Sequence, residues 1–401
     1  MLALGFVCMK GMAIMPVDYF TYKGSLGNVP IVIELTDDQT LDEEISGRYF
    51  FPSEDEHVTR PLLGTKVETE NAKGGNTLKI TLRLGHYTND FNAKTEQTLI
   101  LYGELGDRLN GEFHENNAAP FAVTLLPVTD FPDESAIASA SPFMKTVYHK
   151  LTYDALFQQG NEPKMIKQGN VGQFAVEWWQ DPLTHSSMFQ VTSGYSNEQR
   201  QYVNETLRDI FWRTLSEMSI CSHEGNMKTK IGLLSPNAVS YTLMGKFQCP
   251  DDSYPQVRVF NHTFTLRQDA STIREGTAEL ILSDLLWLDD LPVPVMGDDY
   301  DNGDDYGEDK LQKRLPEWLK GQFTQLYPAK MTRSSGTHGK GCDYTATQTW
   351  ANTRWSLTPE GILFKPLRPD GTDECDDEVW EVVPWHIINQ YPGRLQFVIV
   401  P

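Results

Sequence analysis

Basic side chains are scarce in this chain. Its 401 residues include 34 Lys and Arg against 55 Asp and Glu, which gives a formal net charge of −21 at pH 7. Because nucleic acids and anionic membrane surfaces are themselves negative, both are poor partners for the chain as a whole. A cationic partner is electrostatically easier, and the alternative is that the acidic charge only keeps the protein in solution.

The chain also lacks the sequence signatures of several well-defined chemistries. There is no GxSxG, no HExxH, no P-loop and no CxxC, so neither a thioredoxin motif nor a zinc-ribbon spacing is present. His223 and Glu224 have no second histidine at the spacing that a zinc helix needs. The run GTHGKG, residues 336–341, either holds an anion with its backbone N–H groups or is an ordinary loop.

A dense acidic loop, residues 298–309, is the feature that most invites a metal ion. Asp299 and Asp301 fit the first two positions of an EF-hand, but Gly303 takes the third ligand position and Asp304 the place of the required glycine. A calcium site of another kind stays open, beside the simpler interpretation as a solvated run of like charges. The acidic residues do not single out a carboxylate pair such as a glycosidase uses. We therefore predict no metal, no cofactor and no catalytic residue.

Long hydrophobic runs are missing except near the start of the chain. Residues 1–17 read MLALGFVCMKGMAIMPV, which is apolar but broken by Lys10 and too short for a comfortable transmembrane span. We interpret residues 1–18 as a signal sequence or another N-terminal apolar segment, with a buried strand as the alternative. No other segment is long and apolar enough, so we expect no integral membrane span.

Cysteine is sparse, and its spacing is informative. Apart from Cys8, the five cysteines form two local pairs, Cys221 with Cys249 and Cys342 with Cys375, which are 28 and 33 residues apart (249 − 221 and 375 − 342). A disulfide that closes a loop of this size contributes roughly 3–4 kcal/mol in the chain-entropy model. With the N-terminal segment, this spacing predicts two disulfides and export; four reduced thiols are the alternative.

Residues 19–128 carry a β pattern without a convincing helix. Short runs such as VPIVIELT, ISGRYFF, LKITLRL and TLILYGEL are separated by Gly or Asn. This pattern is typical of an antiparallel meander, either a barrel or a sandwich. Its glycines are expected at bends or tight turns, namely Gly47, Gly64, Gly103 and Gly111. The acidic, small-residue stretch 129–141 is interpreted as a linker, and residues 142–401 as an α+β domain.

The remaining elements are organised around residues 171–249. VGQFAVEWWQ and MFQVT favour two strands, and SNEQ can form a capping box at the start of a long helix. Apolar residues at helical spacing form one stripe on that helix: Val203, Leu207, Ile210, Phe211, Leu215 and Met218. A helix with one apolar face buries that face against another element, and the flanking strands form the nearest sheet. The predicted fold is therefore an N-terminal antiparallel β-meander followed by an α+β domain, whose long helix packs on an antiparallel sheet.

Further along, residues 144–157 are interpreted as a strand or connector, LPEWLKGQFTQLY as a helix that begins near Pro316, and RWSLTPEGILFKPL as a hairpin. Most of the nine tryptophans lie in apolar segments, so we favour core positions for them over a sugar-stacking platform. The residues that we place in the structural core are Trp178, Tyr195, Leu207, Phe211 and Trp355.

Two stretches resemble a family of extracytoplasmic bacterial domains that includes the extracellular part of RsiV-type anti-sigma factors. WWQDPLTHSSMFQVTSGYSNEQRQYVNETLRDIF matches the family's tryptophan strand, its Ser-Gly-Tyr strand end and its helix with an Asn before a Leu. WSLTPEGILFKPL and EVVPWHIINQYPG are similar to its closing hairpin and the segment after it. The matching residues of the first stretch are Ser193, Gly194, Tyr195, Asn204 and Leu207. The similarity covers residues 145–401, except that Cys249 is followed by PDDSYPQVRVFNH where the family often has Cys-Gly-Gly-Ala-His-Pro. YKGSLGNVPIVIEL and ISGRYFF resemble small β-modules found beside such domains.

The resemblance implies an α+β domain outside the cytoplasm and, in the anti-sigma factors, binding of lysozyme, a basic hydrolase of the cell wall. No sigma-binding segment is visible here, so the regulatory role does not carry over. We expect a periplasmic or secreted, non-enzymatic binding protein of the cell envelope, whose ligand is a cationic protein or an envelope component. The alternatives are a hydrolase acting on cell-wall glycan or peptidoglycan, and a structural envelope protein.

Overall fold

The computed structural model describes residues 17–38, 41, 43–54, 58–70, 76–85, 97–115, 118–129, 131–132, 134–219, 221, 227–248, 256–266, 279–289, 306–332, 343–366 and 381–395. The chain divides into two compact units whose segments alternate in sequence. Unit 1 consists of residues 1–163, 211–222 and 248–253, and unit 2 of residues 164–210, 223–247 and 254–401. Segments that are distant in sequence therefore build each unit.

Unit 1 contains a closed antiparallel barrel of eight strands. Each strand pairs with the next, and β1 also pairs with β8 from Tyr22↔Pro127 to Gly24↔Leu125, which closes the ring. The strands are β1 (Val17–Leu26), β2 (Val29–Asp38), β3 (Glu44–Phe50), β4 (Arg60–Glu70), β5 (Asn76–Leu84), β6 (Gln97–Gly103), β7 (Leu109–Glu115) and β8 (Phe121–Pro127). The predicted N-terminal β-meander is confirmed, and of its two possible forms it is the barrel.

Apolar side chains fill the barrel, as in other small barrels. In β2, for example, Ile31, Ile33 and Leu35 belong to the interior cluster and are at most 1% exposed. Tyr22 also lies in this cluster, and its hydroxyl accepts a hydrogen bond of 2.7 Å from the backbone N–H of Gly106. The interior is therefore a packed core in which the buried tyrosine hydroxyl has a partner.

Three glycines lie within barrel strands because neighbouring strands approach closely there. A Cβ atom on Gly111 would lie 1.8 Å from the carbonyl oxygen of Ile100, and one on Gly64 would lie 1.9 Å from that of Thr81. Gly47 is equally restricted by the backbone of the strand beside it. The sequence predicted bends or tight turns at these positions. The structure instead uses them to bring two backbones together within a strand pair.

Three short helices follow the barrel: α1 (Glu134–Ser139), α2 (Pro142–Lys150) and α3 (Thr152–Phe157). The prediction of a strand or connector at residues 144–157 was wrong. Apolar residues recur there at helical rather than alternating spacing, with Phe143 and Val147 both fully buried. At the start of α2, the Ser141 hydroxyl accepts a hydrogen bond from the N–H of Met144, a typical N-cap.

The predicted long helix is confirmed as α4 (Asn197–Met218). Its capping box is formed, since the N–H of Gln199 donates to the Ser196 hydroxyl at 3.2 Å and the N–H of Ser196 donates to the Gln199 side chain at 3.3 Å. Residues up to Ile210 belong to unit 2, and residues from Phe211 onwards belong to unit 1. All residues of the predicted apolar stripe are buried except Met218, which is half-buried.

The described residues of unit 2 form three antiparallel sheets of three strands each. The first has the order β11-β10-β9 and is formed by β9 (Lys164–Val171), β10 (Phe174–Gln180) and β11 (Ser187–Ser193). The second is formed by β12 (Lys228–Leu234), β13 (Ala238–Phe247) and β14 (Gln256–Thr265), and the third by β15 (Thr353–Leu357), β16 (Gly361–Pro366) and β17 (Val382–Pro384). Besides the first part of α4, the described residues of unit 2 form the helices α5 (Tyr306–Leu326), α6 (Pro328–Met331) and α7 (Trp385–Ile388). The α+β fold class is confirmed.

Helix α5 supplies one side of an apolar core in unit 2. Leu311, Leu315, Leu319 and Phe323 recur every four residues and are at most 7% exposed, so one face of the helix is buried. The predicted helix began near Pro316, whereas α5 begins at Tyr306 and contains the proline in its interior. No helix in the described part of the chain is long and apolar enough to cross a membrane.

Candidate functional site

Metal binding finds no support in the part of the chain that the structure describes. No group of three or more His, Cys, Asp or Glu side chains there could hold a metal ion. The sequence features that raised the question lie outside the described residues: His223 and Glu224, the glycine-rich run 336–341, and residues 298–305 of the acidic loop. The prediction of no metal and no cofactor therefore stays a prediction.

The five predicted core residues differ in how far their side chains are buried. Leu207 and Phe211 are 0% and 1% exposed, whereas Trp178, Tyr195 and Trp355 are half-buried. Trp178 contacts the ring of Phe189 at 5.8 Å between centroids, and Trp355 packs against the core of unit 2. The Tyr195 hydroxyl donates a 2.9 Å hydrogen bond to the carbonyl of Ser235. Burial raises the pKa of Tyr195, which keeps the hydroxyl protonated as a donor.

One of the four predicted disulfide cysteines lies within the described residues. Cys221 is 3% exposed and is disulfide-bonded. Cys249, Cys342 and Cys375 lie outside the described residues, as does Cys8. A disulfide at Cys221 agrees with the predicted cysteine chemistry, while the particular pairs stay predictions.

The edge strand β9 of unit 2 is highly exposed to solvent. Seven of its eight residues are exposed and the last is half-buried. β9 pairs with β10 on one side, and no strand in the described part of the chain pairs with its other side. Met165 and Ile166 are 46% and 54% exposed, so two large apolar side chains stand in solvent beside backbone groups that have no strand partner. Such an edge is a ready template for another chain.

Local sequence explains how β9 is formed and shaped. A two-residue loop joins it to β10, and Gly172 in that loop has φ of 56°, which a glycine adopts without strain. Within the ladder Lys167 faces Trp178 while Met165 faces Trp179, so Ile166 is the extra residue of a β-bulge. A bulge kinks the strand locally. It leaves residues 167–171 as the regular part of the edge.

The opposite edge of the same sheet is occupied. In β11 the N–H of Ser187 donates to the carbonyl of Met227 at 2.9 Å. Further along β11, the side-chain amide of Asn204 bonds to both backbone groups of Val191. These contacts take the place of a further strand. Among the described residues, β9 is therefore the edge of this sheet that lacks such partners.

Unit 1 contains a buried ionic cluster, formed by Glu34 of β2, Arg48 of β3 and Asp154 of α3, which we call the Arg48 cluster. The Arg48 Nε donates to Glu34 Oε1 at 2.7 Å, and its two terminal nitrogens donate to the two carboxylate oxygens of Asp154 at 3.1 and 2.7 Å. Arg48 also donates to the carbonyl of Ser216 and the hydroxyl of Ser219, at 3.2 and 3.0 Å. The cluster thus ties barrel strands to α3 and to the end of α4.

A histidine–carboxylate pair lies in unit 2. His262 Nδ1 is 2.6 Å from Glu279 Oε1, and the imidazole packs 5.2 Å from the ring of Tyr241. Its Nε2 is buried and has no hydrogen-bond partner among the described residues. In a catalytic triad this nitrogen would meet a Ser or Cys nucleophile. The described contacts of His262 include no such group, so the pair does not form a catalytic site with them.

Sequence reasoning missed both the Arg48 cluster and the open edge. One signal for the cluster was present: Glu34 lies within the apolar run IVIEL, where an acidic residue is unexpected because β2 is buried on both faces. Its partners lie 14 and 120 residues further along the chain (48 − 34 and 154 − 34). The sequence did not predict β9, because its residues are almost all exposed and lack the apolar alternation that indicates a half-buried strand.

Comparison with known proteins adds no family to this picture. A scan against models of protein families matches none of them, and a search of the curated proteins finds no significant match. The resemblance to RsiV-type extracellular domains therefore rests on the residues quoted for it. Two of these residues, Asn204 and Tyr195, have defined roles here: each binds backbone groups of unit 2.

Proposed function

We propose that this protein is a non-enzymatic binding protein of the bacterial cell envelope that acts in the periplasm or outside the cell. It binds a protein partner by adding an extended segment of that partner to the edge strand β9. The partner is basic overall, of the kind represented by lysozyme-like hydrolases. The observation that carries the proposal is the exposure of β9 on both faces along an edge without a strand partner in the described part of the chain.

Strand addition suits β9 because backbone groups supply the affinity and the exposed side chains supply selectivity. A partner segment on residues 167–171 would satisfy N–H and C=O groups that otherwise bond only to water. Where the partner segment continues past Lys167, it would also cover the exposed apolar side chains of Met165 and Ile166. The β-bulge at Ile166 makes the edge irregular, which disfavours unselective pairing with other strands.

Charge has two separate roles in this proposal. The chain carries −21 in total, so its long-range field attracts a basic protein and raises the rate of encounter. β9 itself carries Lys164 and Lys167 and no acidic residue. At close range these lysines favour a neutral or acidic segment within that basic partner. They also disfavour pairing of β9 with a second copy of itself.

The location outside the cytoplasm is supported by three observations. Cys221 is disulfide-bonded, and disulfides persist mainly in oxidising compartments. The N-terminal apolar run and the resemblance to extracytoplasmic domains agree with export. The proposal does not need a catalytic group, and the described His262–Glu279 pair offers no nucleophile.

Titration calorimetry with lysozyme as the basic-protein probe tests the proposal, at two salt concentrations and with matched variants. Ile166→Asp should weaken the complex at least about tenfold, because a charge without a partner would be buried at the new strand pair. Val257→Asp is the control, since both side chains are 54% exposed on strands of unit 2. The affinity of the wild-type protein should fall as salt is raised.

Amide hydrogen exchange locates the contact. Residues 164–171 should gain protection in the complex if strand addition occurs. Binding that is equally weakened by both variants, or that leaves β9 unprotected, would contradict the role of this edge. A failure of lysozyme to bind at low salt would remove lysozyme-like hydrolases as the partner class.

A further inference from the structure

We propose that the Arg48 cluster stabilises unit 1 more strongly at acidic than at neutral pH. As the pH falls, Glu34 takes up a proton, and this stabilises the packing of barrel strands β2 and β3 on α3 and the end of α4. This inference concerns unit 1 and is independent of the binding role of β9. It rests on the geometry of three buried groups whose charges do not cancel.

The cluster contains one cation and two carboxylates in a site that excludes water. The side chains of Arg48, Glu34 and Asp154 are 8%, 5% and 8% exposed. With both carboxylates ionised, the cluster carries a net charge of −1. A buried net charge is costly because the interior replaces the hydration of the ions poorly. When one of the two carboxylates binds a proton, the net charge of the cluster becomes zero.

The two carboxylates are not equivalent, and their contacts indicate which of them binds the proton. Asp154 receives a two-fold fork of hydrogen bonds from the Arg48 guanidinium, the arrangement that stabilises a carboxylate most strongly. The Ser216 hydroxyl adds a contact to Asp154 at 3.4 Å. Glu34 receives a single hydrogen bond from Arg48 Nε. Because Arg48 stabilises the Glu34 carboxylate through one hydrogen bond only, the proton goes to Glu34.

The groups around Glu34 offer no second cation among the described residues. Arg48 faces it from β3, Asp154 and Tyr153 face it from α3, and the end of α4 contributes only the uncharged Ser216 and Ser219 to the cluster. Burial is the main cause that raises the pKa of Glu34; the charge of Asp154 adds to it, and Arg48 opposes both.

Arg48 and the neighbouring Tyr153 keep their protonation states. The Arg48 guanidinium lies 4.2 Å from the centre of the Tyr153 ring. Burial alone would lower the pKa of Arg48, but the charges of Asp154 and Glu34 raise it above its usual value, so Arg48 stays charged. Burial raises the pKa of Tyr153, so its phenol stays neutral. Glu34 is thus the group that titrates when the surroundings become acidic.

The direction of the pH effect follows from the raised pKa of Glu34. A carboxyl whose pKa is higher in the folded than in the unfolded chain binds its proton more tightly when folded. Its stabilising contribution is complete below the unfolded pKa and is lost as the pH rises through the folded pKa. The stability of unit 1 should therefore increase on acidification. A salt-bridged carboxylate usually has the opposite effect.

Thermal unfolding from pH 4 to pH 8 tests this inference on the full chain, with Glu34→Gln and the exposed-site control Glu44→Gln. The glutamine resembles the protonated form at every pH. Relative to Glu34→Gln, the midpoint of the wild-type protein should rise by about 2–4 °C or more on acidification, a shift typical of one strongly perturbed group. The midpoint of Glu44→Gln should follow that of the wild-type protein. If the unfolding midpoints of the wild-type protein and of Glu34→Gln changed in parallel with pH, the proposal would be refuted.

If Glu34→Gln does not fold, a direct titration of the Glu34 carboxyl in the wild-type protein tests the proposal. Carbon NMR of protein labelled with ¹³C at glutamate carboxyls follows the Glu34 carboxyl in the wild-type chain. Its titration midpoint should lie above the range of the exposed glutamates. In Asp154→Asn the midpoint should move down, because the neighbouring negative charge is gone. A Glu34 midpoint within the range of the exposed glutamates would refute the proposal.

Discussion

The side-chain amide of Asn204 pairs with Val191 as a neighbouring strand would. Its Oδ1 accepts from the N–H of Val191 at 2.8 Å, and its Nδ2 donates to the carbonyl of the same residue at 2.9 Å. A residue of α4 thus completes the hydrogen bonding of β11 at a buried position, since Val191 is 1% exposed. This relationship explains why an asparagine is used here, because an amide offers a donor and an acceptor side by side.

Replacing Asn204 by Ala should therefore leave two backbone groups of Val191 without partners. We expect a loss of at least about 2 kcal/mol in the free energy of unfolding, since each buried group left unpaired costs about 1–3 kcal/mol. Urea denaturation measures the loss, and Gln201→Ala, an exposed change on the same helix, is the control. Faster hydrogen exchange at Val191 should accompany it; unchanged exchange would mean that other groups satisfy β11.

Leu207→Ala tests the buried face of α4. Leu207 is fully buried, so truncation should lower the free energy of unfolding by about 2–5 kcal/mol, through lost apolar contact and the cavity that remains. Chemical denaturation of the variant beside Gln201→Ala gives this difference. A loss below about 0.5 kcal/mol, the size of an ordinary surface change, would mean that the helix does not depend on this face.

Arg48→Met tests the contribution of the cation in the Arg48 cluster. The variant leaves Glu34 and Asp154 buried without the guanidinium, which should destabilise unit 1 by about 3–5 kcal/mol. Arg60→Met is the matched control, because Arg60 pairs with Glu54 at 2.8 Å at a partly exposed site of the same barrel. That change should stay within about 1 kcal/mol. Equal losses for the two arginines would show that burial does not set the strength of these pairs.

Gly111→Ala should disturb the closed barrel, because the new Cβ atom would lie 1.8 Å from the carbonyl oxygen of Ile100. The two strands would have to separate, and we expect a loss of about 3 kcal/mol, the upper part of the usual range for overpacking. Gly169→Ala on β9 is the control, since a Cβ there meets nothing within 4 Å. Thermal unfolding of both variants gives the comparison. A Gly111→Ala protein as stable as Gly169→Ala would contradict the close approach.

The disulfide pattern can be read by mass spectrometry of peptides from the natively exported protein without reduction. We expect one peptide pair that links Cys221 to Cys249 and another that links Cys342 to Cys375. In the structure Cys221 is disulfide-bonded, and a loop of this length implies a contribution of roughly 3–4 kcal/mol. A link from Cys221 to any other cysteine, or four free thiols in exported protein, would refute the assignment.

The sequence by itself determined the elements whose signals are local. The alternation in residues 19–128 identified barrel strands, because successive side chains of a strand point to opposite faces. The stripe through Leu207 and Phe211 and the capping box at Ser196 identified α4, because both signals repeat within one or two helical turns. Residues 144–157 were misjudged, because α2 and α3 are 9 and 6 residues long and their helical spacing therefore extends over few turns.

Only the tertiary structure decided how distant parts of the chain meet. A meander has the same strand pattern in a barrel and in a sandwich, so closure through β1 and β8 was decided by their pairing in space. Arg48 meets Asp154 and Ser219, which lie 106 and 171 residues away in sequence. The free edge at β9 and the occupied edge at β11 likewise depend on their neighbours. Local periodicity specifies which residues form an element and which face is apolar, but contacts between remote segments arise only when the whole chain packs.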